Sequence, residues 1–243
     1  MGMAAALAAR GPDPAIEIPV GGTHLFRRVT ALVLMPAPGA LVALPALLAQ
    51  SIGGGGGASA EVTGNVTMGA SGTGNASAGS VDVTNISLIR TSGNNSIGLL
   101  AQSIGGGGGW SLLRSTPNAQ LGSEAGNNLT GGNVTLTSRS SIGSAADFST
   151  AAVIQSVGGG GGVTGNALGN VTLGASNTQG TLSSGSVSAD FTGDVITLGQ
   201  NSAAMVVQTV AGGGGLGAEV TGNAVLGMTS ASPTVANAGS LSF

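Results

Sequence analysis

The 243 residues include 47 glycines, 41% apolar residues and only 6% charged residues, with a formal net charge of −3. Disordered chains pair high charge with low hydrophobicity; this composition is the reverse, so an ordered and mostly β chain is expected. There is no lysine, and the six arginines are scattered, so no basic surface exists to hold nucleic acid; the absence of cysteine removes disulfides, thiolate zinc sites and cysteine nucleophiles.

Residues 1–46 read as a leader, rich in alanine, proline and arginine. Arg27 and Arg28 precede the apolar run "VTALVLMPAPGALVALPALLA", the charge-then-apolar order of an export signal. Pro36, Pro38 and Pro45 interrupt that run, and Leu47 already belongs to a repeated phrase. A degraded or extended signal, an unstructured leader and a mis-set start all fit, and a membrane-spanning helix fits less well because of the prolines. His24, the only histidine, lies in this leader and reads as a solvated tail residue.

From Leu47 the chain becomes repetitive. "LLAQSIGGGGG" occurs at Leu47–Gly57 and again, unchanged, at Leu99–Gly109; "VIQSVGGGGG" comes next at Val153–Gly162 and "VVQTVAGGGG" at Val206–Gly215. Aligned on Gln50, Gln102, Gln155 and Gln208, the units are 52 or 53 residues long. A second phrase comes after each glutamine: "GNVTMG" at Gly64, "PNAQLG" at Pro117 (one residue late), "GNVTLG" at Gly169 and "GNAVLG" at Gly222. A third reads "GSVDV" from Gly79, "GNVTL" from Gly132, "GSVSA" from Gly185 and "GSLSF" from Gly239, and units close on Asn95, Phe148 and Asn201. Each phrase alternates small polar with aliphatic residues between turn formers, which is strand patterning.

The expected fold is therefore all-β: a repetitive β-solenoid, right-handed and parallel β-helix-like, spanning residues 47–243 in about four ~53-residue repeats, the last incomplete. Roughly four strands per repeat suit about two coils each. A β-sandwich is second, because so few aromatic residues could hardly fill a broad core. For the glycine runs the choice stays open between mobile loops at the rim and backbone packed where no Cβ fits.

The "AQSIGGGGG" phrase after a "GLL", "AVI" or "MVV" strand, together with the later "VTGNVTLG", resembles the glycine-rich passenger repeats of bacterial autotransporters. The likeness runs from Leu47 to the last residue. It implies a β-helical passenger exported through the periplasm, threaded through an outer-membrane barrel and displayed on a Gram-negative cell surface as a stalk or adhesin. The implied partners are host or abiotic surfaces, glycans and the translocator barrel, which this chain lacks. The last repeat stops 35 residues after Gln208, so a fragment is expected. Phe243 shares the column of "GSVDV" and reads as solenoid strand rather than the terminal aromatic of a barrel.

No catalytic, cofactor or metal site is expected, and no enzyme. The glycine runs lead into Ala58, Trp110, Val163 and Leu216, where a phosphate-binding loop needs lysine, and they lack the aspartates of calcium-binding β-rolls. Glu61 and Glu219 share a column but lie three repeats apart, too far for a glycosidase pair even at ~4.8 Å per coil. Asp82 is matched by Thr135 and Ser188, so no acid ladder forms, and Asp190 and Asp194 read as solvated turn acids. Glycosylation triplets at Asn65, Asn75, Asn85, Asn94, Asn128, Asn133 and Asn170 arise from Gly-Asn turns before threonine-rich strands. Trp110 reads as folded onto the solenoid, with an exposed ligand anchor as the alternative. Two other functions stay open: a self-assembling β-rich structural protein joined through solenoid ends, and a β-helix polysaccharide hydrolase or lyase with its site elsewhere.

Overall fold

The computed structural model describes residues 45–62, 65–69, 74–113, 118–123, 126–165, 167–176, 178–217, 220–227 and 232–243. These form twenty-three strands in six parallel sheets. The first sheet stacks Leu47–Gly53, Leu99–Gly105, Ala152–Gly158 and Met205–Val210. The second stacks Gly56–Val62, Gly108–Leu113, Gly161–Thr164 and Gly214–Gly217. The third has Val66–Met68, Asn118–Leu121, Asn170–Leu173 and Ala224–Leu226; the fourth has Asn75–Ser77, Gly126–Thr130, Thr178–Ser183 and Ser232–Asn237. Val81–Asn85, Val134–Ser138, Val187–Phe191 and Leu241–Ser242 form the fifth, and Ile89–Thr91, Ile142–Ser144 and Val195–Thr197 the sixth.

The molecule is a parallel β-solenoid of ~53-residue repeats. Each repeat is one coil, not two: Gln50 pairs with Gln102, Gln102 with Gln155 and Gln155 with Gln208. A coil has six short strands rather than four. The late phrase "PNAQLG" takes its expected place, with Ala119 opposite Val66 and Leu121 opposite Met68, so its extra residue is taken up before the strand Asn118–Leu121 begins.

Strand alternation sends successive side chains of the first sheet to opposite faces, and both faces are covered. On one face Leu99, Ala101 and Ile154 pack against Val81, Val134, Leu136 and Ile142 of the fifth and sixth sheets. On the other, Leu100 and Val153 meet Ile97, Trp110 and Val163. Every residue of Leu99–Gly105 is buried, so this central sheet is enclosed like a parallel sheet between layers. Each fully buried leucine or isoleucine here contributes about 1.5–3 kcal/mol.

The glycine runs are packed backbone, which decides between the two alternatives. A Cβ on Gly105 would run into the carbonyl of Thr130 in the fourth sheet, and one on Gly161 into the carbonyl of Gly214 in the next coil. Gly161 also holds φ +134°, inside a paired strand. Glycine recurs because each coil lays this backbone directly on the same backbone of its neighbour.

Candidate functional site

Polar side chains that the repeat copies form ladders between coils. Alternation turns the repeated glutamine toward the second sheet, where it meets its own copies. Gln102 Nε2 donates to Gln50 Oε1 at 2.9 Å, Gln155 Nε2 to Gln102 Oε1 at 2.8 Å and Gln208 Nε2 to Gln155 Oε1 at 2.6 Å. The adjacent serine serves the other face: Ser103 Oγ donates to Gly79 O and accepts from Gly132 N, and Ser156 Oγ does the same with Gly132 O and Gly185 N. Those glycines open the third sequence phrase. The serine thus staples the first sheet to the start of the fifth, and this explains why the two phrases travel together.

Several asparagines of the glycosylation triplets are clips of this kind. Asn133 Oδ1 accepts from Ser186 N at 2.9 Å and Asn170 Oδ1 from Asn223 N at 2.9 Å, each one coil on. Asn85 is buried and donates to Ser138 Oγ at 3.0 Å.

The acids do not gather. Asp82 pairs with Thr135 and Thr135 with Ser188, the column expected. Asp190 is not a turn acid: it lies in the strand Val187–Phe191, and its Oδ2 is 2.8 Å from Nη2 of Arg139 in the preceding coil. Both partners are about half exposed, which limits such a pair to about 0–1 kcal/mol. Asp194 is exposed between strands, and its N–H donates to Ser141 Oγ at 3.2 Å. Glu61 lies in the second sheet; Glu219, His24, Arg27 and Arg28 lie outside the described residues. Among the described residues there is no cluster of three or more His, Asp or Glu able to hold a metal. Leu241 and Ser242 pair on the fifth sheet as expected, while Phe243 lies beyond the strand and is exposed.

A concave site appears where the repeat is broken. A groove of about 390 Å³ runs along the solenoid over coils two to four, because the same columns of each coil line it. One wall is the column Asn95, Phe148 and Asn201, all with left-handed backbone (φ 60°, 54° and 52°). The other is Trp110, Val163 and Leu216 in the second sheet, neighbours in register. Trp110 is 2% exposed and belongs to the core, so it is no projecting anchor. Val163 in the next coil is equally buried, and Leu216 in the last coil is partly open.

Two residues of that lining carry buried polar atoms with no partner among the described residues, Asn95 Oδ1 and Thr164 Oγ1; the Thr164 hydroxyl leaves the second sheet on the face opposite Val163, toward Val220. Both sit where a ladder fails. Ser59 Oγ and Ser111 Oγ are hydrogen-bonded at 2.7 Å, and Thr164 continues their column, but the next coil offers Gly217 and no hydroxyl. Above Asn95 the column continues with Phe148, whose side chain has no polar group to offer. Leaving a buried polar group unpaired costs about 1–3 kcal/mol. Sequence reading missed this groove; its signal was the set of departures from the repeat, with Phe148 among asparagines and Gly217 after Ser, Ser and Thr. No family model matches the chain, and the searches of curated proteins and of solved structures likewise find no match.

Proposed function

We propose that this chain is part of a surface-displayed autotransporter passenger, working as an elongated stalk whose repeated coils form a multivalent adhesive surface. The reading rests on the glycine-rich phrases and, above all, on one observation: the first three coils are paired strand for strand in all six sheets, and the fourth joins the third in five of them. Such a stack lengthens by ~4.8 Å per coil without altering its cross-section, as a stalk requires. Along the outer face of the fifth sheet, Asp82, Thr84, Thr135, Ser188 and Asp190 are exposed, and a row of weak hydrogen-bonding groups gains strength by multiplicity. The partners proposed are glycans or abiotic surfaces, with an outer-membrane barrel for export; no catalytic role is assigned.

The test is expression with the native flanking gene in a Gram-negative host, then protease treatment of intact cells. Loss of the chain from intact cells supports display. Protection until the envelope is broken overturns it. A second reading, self-assembly, is favoured by Leu226, Leu241 and Phe243, which are exposed on coil four beside strands paired on one side only. Concentration-dependent sedimentation with a thioflavin response supports that reading, and a monomer at all concentrations opposes it.

A further inference from the structure

We infer that coil one of a second copy docks on coil four, head to tail and in register, so that chains join end to end along the solenoid axis. This rests on the self-assembly reading and names the two surfaces that meet. Among the described residues, the six strands of coil one and the five of coil four are each paired on one side only, and every pairing in the stack is parallel. The free edge at one end therefore matches the free edge at the other.

The glutamine ladder gives the contact a polarity. Each Nε2 donates toward the preceding coil, so the ladder ends on the Nε2 donor of Gln50 at coil one and on the Oε1 acceptor of Gln208 at coil four. Head-to-tail docking sets that donor on that acceptor, whereas two coil-four faces would bring two acceptor ends together. The glycine columns leave room for the approach. A Cβ on Gly132, Gly185 or Gly239 would run into the backbone of the same column in the preceding coil, yet one on Gly79, the first of that column, meets only Ser51 Oγ at 3.4 Å. Gly79 has no left-handed backbone to require glycine, so its bare Cα keeps space for a coil against that face. At the other end, a Cβ on Gly56, Gly108 or Gly161 would strike the carbonyl oxygen of the next coil's glycine, while one on Gly214 meets only Val210. Continuing the registers sets Leu241 against Val81 of the second copy and Leu226 against its Met68, which covers the exposed leucines with residues of their own columns. Among the described residues coil four has no sixth-sheet strand; Ala46, whose N–H donates to Ile97 O at 2.9 Å, brings the second copy's chain into its coil one through that corner.

Such a contact is heterologous and does not close, so it builds an open filament that gains about 19 Å for each four-coil chain. The full chain is followed by analytical ultracentrifugation over rising concentration, with electron microscopy of the heaviest fraction. Concentration-dependent filaments one solenoid wide are expected. Gln50→Glu keeps the acceptor that Gln102 uses and removes the Nε2 donor, and it is expected to weaken association about tenfold at pH 7 with little change in melting temperature. Gly79→Ala adds one carbon that meets only Ser51 Oγ within the chain, and it is expected to weaken association at least as much, because the carbon would enter the Gly239 backbone of the neighbouring copy. Either variant still offers coil four, so a small proportion of it is expected to shorten filaments of the parent chain. Thermal melts show whether each variant is folded, and should one fail to fold the other decides. Association of the folded variants equal to that of the parent overturns head-to-tail docking and leaves self-assembly standing through another surface. A parent chain that stays monomeric at every concentration overturns both.

Discussion

Gln155 shows how one side chain holds register between coils. Its amide gives a proton to Gln102 and takes one from Gln208, in a fully buried position between the first and second sheets. A one-residue slip of either neighbour would turn a glutamine to the opposite face and replace it with its chain neighbour, so the ladder penalises slippage that apolar packing alone would tolerate. Gln155→Leu roughly keeps the volume but leaves Gln102 Oε1 and Gln208 Nε2 without their partner. At about 1–3 kcal/mol for each buried orphan, and with Gln208 partly open to water, the variant is expected to lose about 2–3 kcal/mol. Thr135→Val, on the exposed face of the fifth sheet, is expected to stay within about 0.5 kcal/mol. Urea unfolding midpoints of the two variants against the parent chain check this. Equal midpoints for Gln155→Leu and the parent would show that the ladder follows register without enforcing it.

Among the elements, the odd-numbered sheets were legible in the sequence and the even-numbered ones were not. The strands around Gln102, Leu121 and Val134 belong to the first, third and fifth sheets, and each shows aliphatic alternation between turn formers. The second sheet begins inside the glycine run, where Gly108 and Gly109 pair in a strand at φ +117° and +134°, a conformation that strand propensity does not describe. Sixth-sheet strands such as Ile142–Ser144 are three residues long, too short for any period to show. The fourth sheet carries register shifts that break its pattern. The groove was hidden for a different reason: alignment rewards what repeats, and the groove is made by what does not. The glycine columns give a sharp contrast between positions. Gly161→Ala puts a Cβ into the carbonyl of Gly214 and is expected to cost more than about 3 kcal/mol or prevent folding. Gly57→Ala, at φ +154° with nothing within 4 Å of the added carbon, bears only backbone strain, about 1 kcal/mol. Thermal melts and soluble yield of the two proteins separate packing from conformational strain, and equal losses would contradict the packed backbone.

The whole molecule is a one-dimensional stack, so its stability should be a sum over coils and the interfaces between them. Deleting Leu99–Ala151 joins Gly98 to Ala152, the residue that pairs with Leu99, and every column of the remaining coils is preserved. The shortened chain is expected to fold with the same β signature per residue. Its urea m-value should fall by about a quarter, as the surface exposed on unfolding falls with coil number. Deleting residues 99–125 is the discriminating control. It brings Gly126 of the fourth sheet directly after Gly98, so fourth-sheet residues would face first-sheet columns, placing Leu129 and Asn128 where the glutamine ladder and its apolar neighbours run. With one coil per repeat that protein should fail to fold cooperatively. With two coils per repeat, removing half a repeat would excise one coil and leave a sound stack. Circular dichroism and urea unfolding of the two deletions therefore distinguish the architectures: a cooperative full-repeat deletion beside a non-cooperative half-repeat deletion is the result that one coil of six strands requires.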